Sequence, residues 1–187
     1  MKKLILIALL LPLSTAIQAS SEQQMILESK KSIKLFAQQL KNKLQQGMKT
    51  GGPTTAIQVC NTAAADIAKQ VSDQQGWKIA RTSLKVRNSD NTPDAWEAKV
   101  LQDFEKRLKQ GVAIKDLEYS EILNKHSQPE FRYMKAIPTQ GICLSCHGDK
   151  LAPAITEKLQ QLYPQDQATG FKLGDIRGAF TITRSVD

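Results

Sequence analysis

An α+β fold, an antiparallel sheet flanked by helices with a long helix at the N-terminus, is what the order of hydrophobic periods in this chain predicts. Three observations carry it. Apolar residues at Ile26, Ile33, Phe36, Leu40 and Leu44 keep helical spacing. The segment Trp77 to Val86 alternates instead, between Gly76 and the turn cluster Asn88-Ser89-Asp90-Asn91. Three more strand-like runs follow, around Asp116 to Leu123, Phe131 to Ile137 and Ile176 to Arg184.

The first helix should run from Ser21 to about Gln46, stopped by Gly47 and the Gly51-Gly52-Pro53 break. A second is expected from Thr55 to about Val71, with Ala56, Cys60, Ala63, Ala64, Ile67 and Val71 on one side, a face small in side-chain volume. After the Trp77 strand, Pro93 is placed at a first helical position. Asp94 and Glu97 there lie near the positive end of the helix dipole, and Trp96, Val100, Phe104 and Leu108 recur every four residues until Gly111. A last helix, Pro153 to Tyr163, separates the final two strands.

Composition sets the class. The chain has 187 residues, 41% of them hydrophobic, and a formal charge of +8; it can close a core and is not a disordered chain. Residues Met1 to Ala19 carry Lys2-Lys3, an apolar run from Leu4 to Leu13 broken by Pro12, and small residues at Ala16 and Ala19. That is the layout of a secretory signal peptide, too short to span hydrocarbon. The expectation is a cleaved leader at 1–19, a single domain at 20–187, a periplasmic location and no stable membrane span. Export and the lack of aromatic-interleaved basic motifs exclude nucleic acid as a partner. Lys30, Lys31, Lys34, Lys41, Lys43 and Lys49 outnumber Glu22 and Glu28 early in the chain. They read as a solvated helix face, with docking to an acidic partner as the alternative.

The chemistry lies in Gly141-Ile142-Cys143-Leu144-Ser145-Cys146-His147-Gly148, which contains C-x-x-C-H, the attachment pattern of c-type haem. Two thiols three positions apart can add to the two vinyl groups of one porphyrin. The next residue, His147, is then carried beneath the iron as its proximal ligand. A Cys143–Cys146 disulfide would give no reason for the histidine. A zinc site of Cys60, Cys143, Cys146 and His147 would space its histidine more widely. One such motif means one haem c.

Cys60 is the cysteine left over. It is either a buried structural thiol or the sixth iron ligand. Ala56, Ala63 and Ala64 around it would let a flat macrocycle approach the helix. Met25, Met48, Met134, His126 and an open position compete for the same role. A thiolate would lower the potential and a methionine would raise it. Arg81, Arg87 and Arg177 are candidate partners of haem propionates, or else ordinary structural cations. Phe131, Tyr133, Phe171 and Phe180 either wall the haem or pack the core. Gly170, Gly174 and Gly178 read as residues of tight turns and close sheet approach.

Three segments resemble a family of single-haem c-type domains with a PAS-like fold, found alone in the periplasm or as the sensor portion ahead of signalling modules. Ala56-Ile57-Gln58-Val59-Cys60 with Ala63 to Ala68 is similar to its ligand helix. Arg81 to Asn88 with Asn91 and Pro93-Asp94-Ala95-Trp96-Glu97 is similar to its central signature. Cys143 to Gly148 with Tyr163-Pro164 and Ala168 to Ala179 is similar to its haem-binding end. Two positions depart from the pattern: Ala80 stands where a second arginine is common, and Ser89 where a proline is common. The resemblance implies covalent haem on Cys143 and Cys146, with His147 and Cys60 as axial ligands. The expected role is electron transfer or redox and small-ligand sensing, with a redox protein or a small gaseous ligand as partner. A haem enzyme acting on sulfur compounds or peroxide is the alternative. It is disfavoured because His126 is the only other histidine.

Overall fold

A computed structural model describes residues 14–125 and 128–186. The leader expected at Met1 to Ala19 therefore lies mostly outside the described residues, as does His126. The elements are α1 (Ser14–Gln75), β1 (Lys78–Thr82), α2 (Ala95–Lys109), β2 (Glu118–Lys125), β3 (Gln128–Pro138), α3 (Leu144–His147), α4 (Pro153–Leu162) and β4 (Ile176–Ser185). Among the described residues no helix is long and apolar enough to cross a membrane.

The two expected N-terminal helices are the two segments of α1, parted by non-helical backbone at Gly51 and Gly52 ahead of Pro53. Gly52 has φ 71°, which a side chain would resist. Gly47, however, does not end the first segment. It is where the segments cross, since a Cβ there would meet the Ala56 Cα at 2.9 Å. Absence of a side chain serves close approach here, and the helix runs on to the Gly-Gly-Pro break.

The strands form one antiparallel sheet in the order β1-β4-β3-β2. Alternation along β3 assigns its faces. Phe131 and Tyr133 point to α1, where Met25, Ile33, Phe36, Ile67 and Val71 complete a core with Ile79, Phe180 and Ile182. Met134 and Ala136 point the other way, to Val100, Leu101 and Phe104 of α2. A third, smaller cluster joins Ile57 of α1 to Ile155 and Leu159 of α4, with Cys146 and Tyr163 packed at its margin. The sheet thus has a helix on each face, and the C-x-x-C-H segment lies at the α1–α4 junction.

Two boundaries differ from expectation for physical reasons. The strand expected over Trp77 to Val86 ends at Thr82. Ser83 Oγ lies 2.9 Å from the carbonyls of both Lys85 and Arg177 and accepts the Lys85 N–H, turning the chain out of the ladder. Opposite, Gly178 has φ 155°, and a Cβ on it would come within 2.3 Å of the Thr82 carbonyl oxygen. Pro93 lies outside α2, because Asp94 is the N-cap. Asp94 Oδ1 accepts the Glu97 N–H at 2.8 Å and Glu97 Oε2 accepts the Asp94 N–H at 3.0 Å. Both carboxylates also accept from Arg132, at 2.5 and 3.0 Å, and that guanidinium lies 4.3 Å from the Trp96 ring. Asp94, Trp96 and Glu97 therefore fasten α2 to β3 and stand apart from the cysteine motif.

Candidate haem site

Cys143 closes a turn of 3₁₀ helix, residues Gly141–Cys143, and Cys146 and His147 end the four-residue α3. One helical turn separates the two thiols, so they share a side, and the imidazole comes one position on. The turn can close only over glycine, since a Cβ on Gly148 would lie 2.6 Å from the Leu144 carbonyl oxygen. The backbone of residues 147–148 is then tied to the loop before β4: Phe171 N–H donates to the His147 carbonyl and Gly170 N–H to that of Gly148, both at 2.9 Å. All three cysteines are free thiols. Among the described residues no group of three or more His, Cys, Asp and Glu is arranged to hold a metal ion, so the zinc arrangement weighed from sequence has no geometric support.

His147 has its tautomer decided by its neighbours. Its Nδ1 is 2.7 Å from the Ala168 carbonyl oxygen, which can only accept a hydrogen bond, so Nδ1 carries the proton. Its Nε2 faces Arg177 Nε at 3.4 Å and Arg87 Nη1 at 3.5 Å, both of which can only donate. Burial first, and then the charges of Arg177 and Arg87, push the imidazole pKa down to about 2. The ring is therefore neutral, with the Nε2 lone pair turned away from its anchor, as a metal-ligating histidine requires. The Phe171 ring meets it edge-on at 6.1 Å.

The three arginines named from sequence all come to this place. Arg87 is committed to structure: its guanidinium pairs with Asp166 at 2.9 Å, donates to the Cys146 carbonyl at 2.6 Å and donates to the Ala168 carbonyl at 3.1 Å. Both members of the ion pair are about one-tenth exposed. Arg177 donates to Ser83 Oγ at 3.1 Å and stands 5.2 Å from the Phe171 ring centre. Burial, with Arg87 and Arg81 as neighbours, lowers its pKa to about 10, so it keeps its charge at neutral pH. Arg81 sits 5.7 Å from the Phe36 ring, and burial lowers its pKa while the Cys60 charge opposes that. Among the described residues neither Arg81 nor Arg177 has a carboxylate within salt-bridge distance.

Cys60 comes to the same place from 83 positions earlier than Cys143. Burial raises its thiol pKa, while Arg81 and Arg87 pull it down; its charge in turn acts on Cys146 and Tyr163. Met25 and Met134 are used elsewhere, buried in the two cores on opposite faces of the sheet. Phe131, Tyr133 and Phe180 belong to the core on the α1 face, leaving Phe171 as the aromatic beside His147.

Sequence reasoning missed Asp166 and the Ala168 carbonyl. Asp166 Oδ1 accepts the Ala168 N–H at 2.8 Å, a two-residue turn of the kind aspartate favours, which was a legible local signal. Its partnership with Arg87, 79 residues away, had none.

The donor set suits haem on its own chemistry: paired thiols, a neutral imidazole next in sequence, a third thiol near enough to act on Cys146, and two guanidiniums, Arg81 and Arg177, with no carboxylate in salt-bridge reach among the described residues. An α+β domain carrying such a site falls in the class of haem-binding domains. A family model described as Tll0287-like matches residues 13–185, and the chain belongs to that family. It is similar to the solved structure of the cyanobacterial heme-protein Tll0287, with 25% identity and a TM-score of 0.59, over 84% of this chain and 94% of that one. No curated protein gives a significant match.

Proposed function

We propose that this chain is a periplasmic, PAS-like c-type haem domain that carries electrons or reports redox state, with one haem attached through Cys143 and Cys146. His147 and Cys60 serve as its axial ligands. The observation that carries the reading is the His147 imidazole, neutral, pinned through Nδ1 to the Ala168 carbonyl and directly following Cys146. When bound, the haem supplies one-electron chemistry at its iron. Arg81 and Arg177, which among the described residues have no carboxylate within salt-bridge distance, are suited to receive propionates. The antiparallel sheet with helices on both faces supports the PAS-like reading, and the Met1 to Ala19 pattern supports export.

Cys60 is the residue placed to change state. Its burial favours the protonated thiol, and Arg81 and Arg87 favour the thiolate. A ferric iron held here would favour the Cys60 thiolate, whereas a ferrous one would favour the thiol that burial already favours, with the proton drawn from solvent and room left for a small gaseous ligand. The groups nearest His147 Nε2 are guanidiniums, which hold their protons at neutral pH and cannot serve as acid–base catalysts. That favours a carrier or sensor over an enzyme.

The test is to produce the chain together with haem-maturation machinery and record pyridine haemochrome and low-temperature EPR spectra. One covalent haem per chain is expected, with a low-spin ferric signal that changes in Cys60→Ala and with covalent attachment retained. Absence of covalent haem would overturn the reading, and an unchanged signal in Cys60→Ala would overturn the thiolate assignment.

A further inference from the structure

Six large apolar side chains are exposed among the described residues, and three of them, Leu84 (41%), Ile142 (38%) and Leu173 (71%), lie on segments that meet beside Cys143. Thr139 joins two of those segments, donating its N–H to the Asp175 carbonyl at 2.8 Å and accepting the Gly174 N–H at 3.0 Å. Ile142 and Leu173 thus project from adjacent loops. The third segment is held against them by Arg177, which donates to the Lys85 carbonyl at 3.4 Å, and by Lys85 Nζ, which donates to the Thr169 carbonyl at 3.1 Å. Leu84 also lines a shallow depression with Glu105, Lys106 and Lys109 of α2.

The charge on this surface has one sign in excess. Lys85, Lys106, Lys109 and Lys172 are all exposed. Two carboxylates stand among them: Asp175, which accepts the Lys172 N–H at 2.7 Å, and Glu105, which feels Lys109, Asp175 and Lys85. Exposed leucines and an isoleucine inside a ring of lysines form the apolar centre and charged rim of a transient docking face. The other basic stretch, on α1, differs. Its Lys30 is spent on Glu118 at 2.7 Å, toward the β2 edge of the sheet, away from the cysteine motif.

We propose that the surface centred on Leu84, Ile142 and Leu173, with its lysine rim, docks an acidic redox protein at the edge of the haem site. The proposal rests on the haem reading above. The rim speeds encounter with an acidic face, and the apolar centre holds the pair at the segment that carries Cys143. One electron would then pass from the ferrous domain to the partner, giving a ferric domain and a singly reduced partner, and any proton that Cys60 had taken up on reduction would return to solvent as its thiolate is restored.

Two measurements separate this surface from the haem assignment. In the first, the redox-inert paramagnetic anion hexacyanochromate(III) is titrated into the ¹⁵N-labelled chain. Selective broadening of amides at residues 84–85, 105–109 and 172–174 is expected, whether or not haem is attached. Broadening confined to the α1 lysines would overturn the proposal. In the second, the ferrous haem-loaded chain is oxidised in stopped flow by hexacyanoferrate(III) or by hexaamminecobalt(III). At low ionic strength the triple variant Lys85→Glu, Lys109→Glu, Lys172→Glu should lose about tenfold in rate with the anion and gain with the cation, converging with wild type at high salt. Lys31→Glu with Lys34→Glu should match wild type. Equal rates in wild type and the triple variant would overturn it. So would a concentration-dependent dimer in sedimentation that Leu173→Ser abolishes, since the face would then be occupied by a second copy.

Discussion

Arg87 and His147 donate to the same oxygen, the carbonyl of Ala168, at 3.1 and 2.7 Å. The imidazole anchor is therefore shared with a cation. A carbonyl already engaged by a guanidinium polarises the Nδ1–H less than a free one, so the ring is a weaker donor through Nε2. The same guanidinium also accepts the task of holding the Cys146 carbonyl and pairing with Asp166. One residue thus sets the position of the motif and the donor strength of its imidazole.

Arg87→Gln should be costly for this reason. It leaves Asp166 at a largely buried position without its cation, a change of roughly 3–5 kcal/mol when one partner of such a pair is removed. Denaturant unfolding of the haem-loaded chain measures it. The potential should also fall, because His147 gains donor strength and a positive charge is lost. An unchanged stability and potential would count against the shared-carbonyl account.

Acid should weaken the haem-free chain before its carboxylates titrate. His147 is held neutral down to about pH 2 in the fold, whereas an unfolded histidine binds its proton near 6.5. Below 6.5 the unfolded chain binds more protons, so stability rises with pH across this window and is lost as pH falls. Glu118, held to about 2 by Lys30, Tyr133 and Lys135 despite the opposing effect of burial, adds to the loss only below its ordinary range near 4.5. Melting temperature measured between pH 6.5 and 5 should therefore slope in wild type and flatten in His147→Gln.

Arg132→Ala should unfold the scaffold and leave the site chemistry alone. It strips the cation from Glu97, which also accepts from Thr181 Oγ1 at 2.8 Å, and from Asp94. The expected cost is again about 3–5 kcal/mol. Whatever fraction folds should show the wild-type haem spectrum. A shifted spectrum at full stability would reverse this division of roles.

Gly178→Ala tests the sheet edge. Its φ of 155° and the 2.3 Å approach of a Cβ to the Thr82 oxygen leave no room for relaxation without moving β1 from β4. A loss on the order of 2–4 kcal/mol in thermal or denaturant unfolding is expected. Gly174→Ala, where a Cβ meets no atom within 4 Å but φ is 86°, should cost less.

Much of the fold was legible because it is local. The Ile33-Phe36 and Ile67-Val71 faces, the alternation of β3, and the Gly51-Gly52-Pro53 break each depend on residues within a few positions of one another. Errors arose where a distant residue intervened. Gly47 was a close-packing glycine because Ala56 lies across the kink, and the Trp77 strand stopped early because Arg177 and Gly178 of β4 lie beside Ser83 and Thr82.

By itself the sequence determined the C-x-x-C-H turn, since a spacing of three and an adjacent histidine are properties of consecutive residues. It also named the three arginines and Cys60 as worth asking about. Only the tertiary structure decided that they meet. Cys60 reaches the motif through the second segment of α1, Arg87 finds Asp166 across 79 residues, and the Ala168 carbonyl chooses the tautomer of His147. Such pairings depend on sheet register and on where loops close, and those follow from burial summed over the whole chain, which no short pattern encodes.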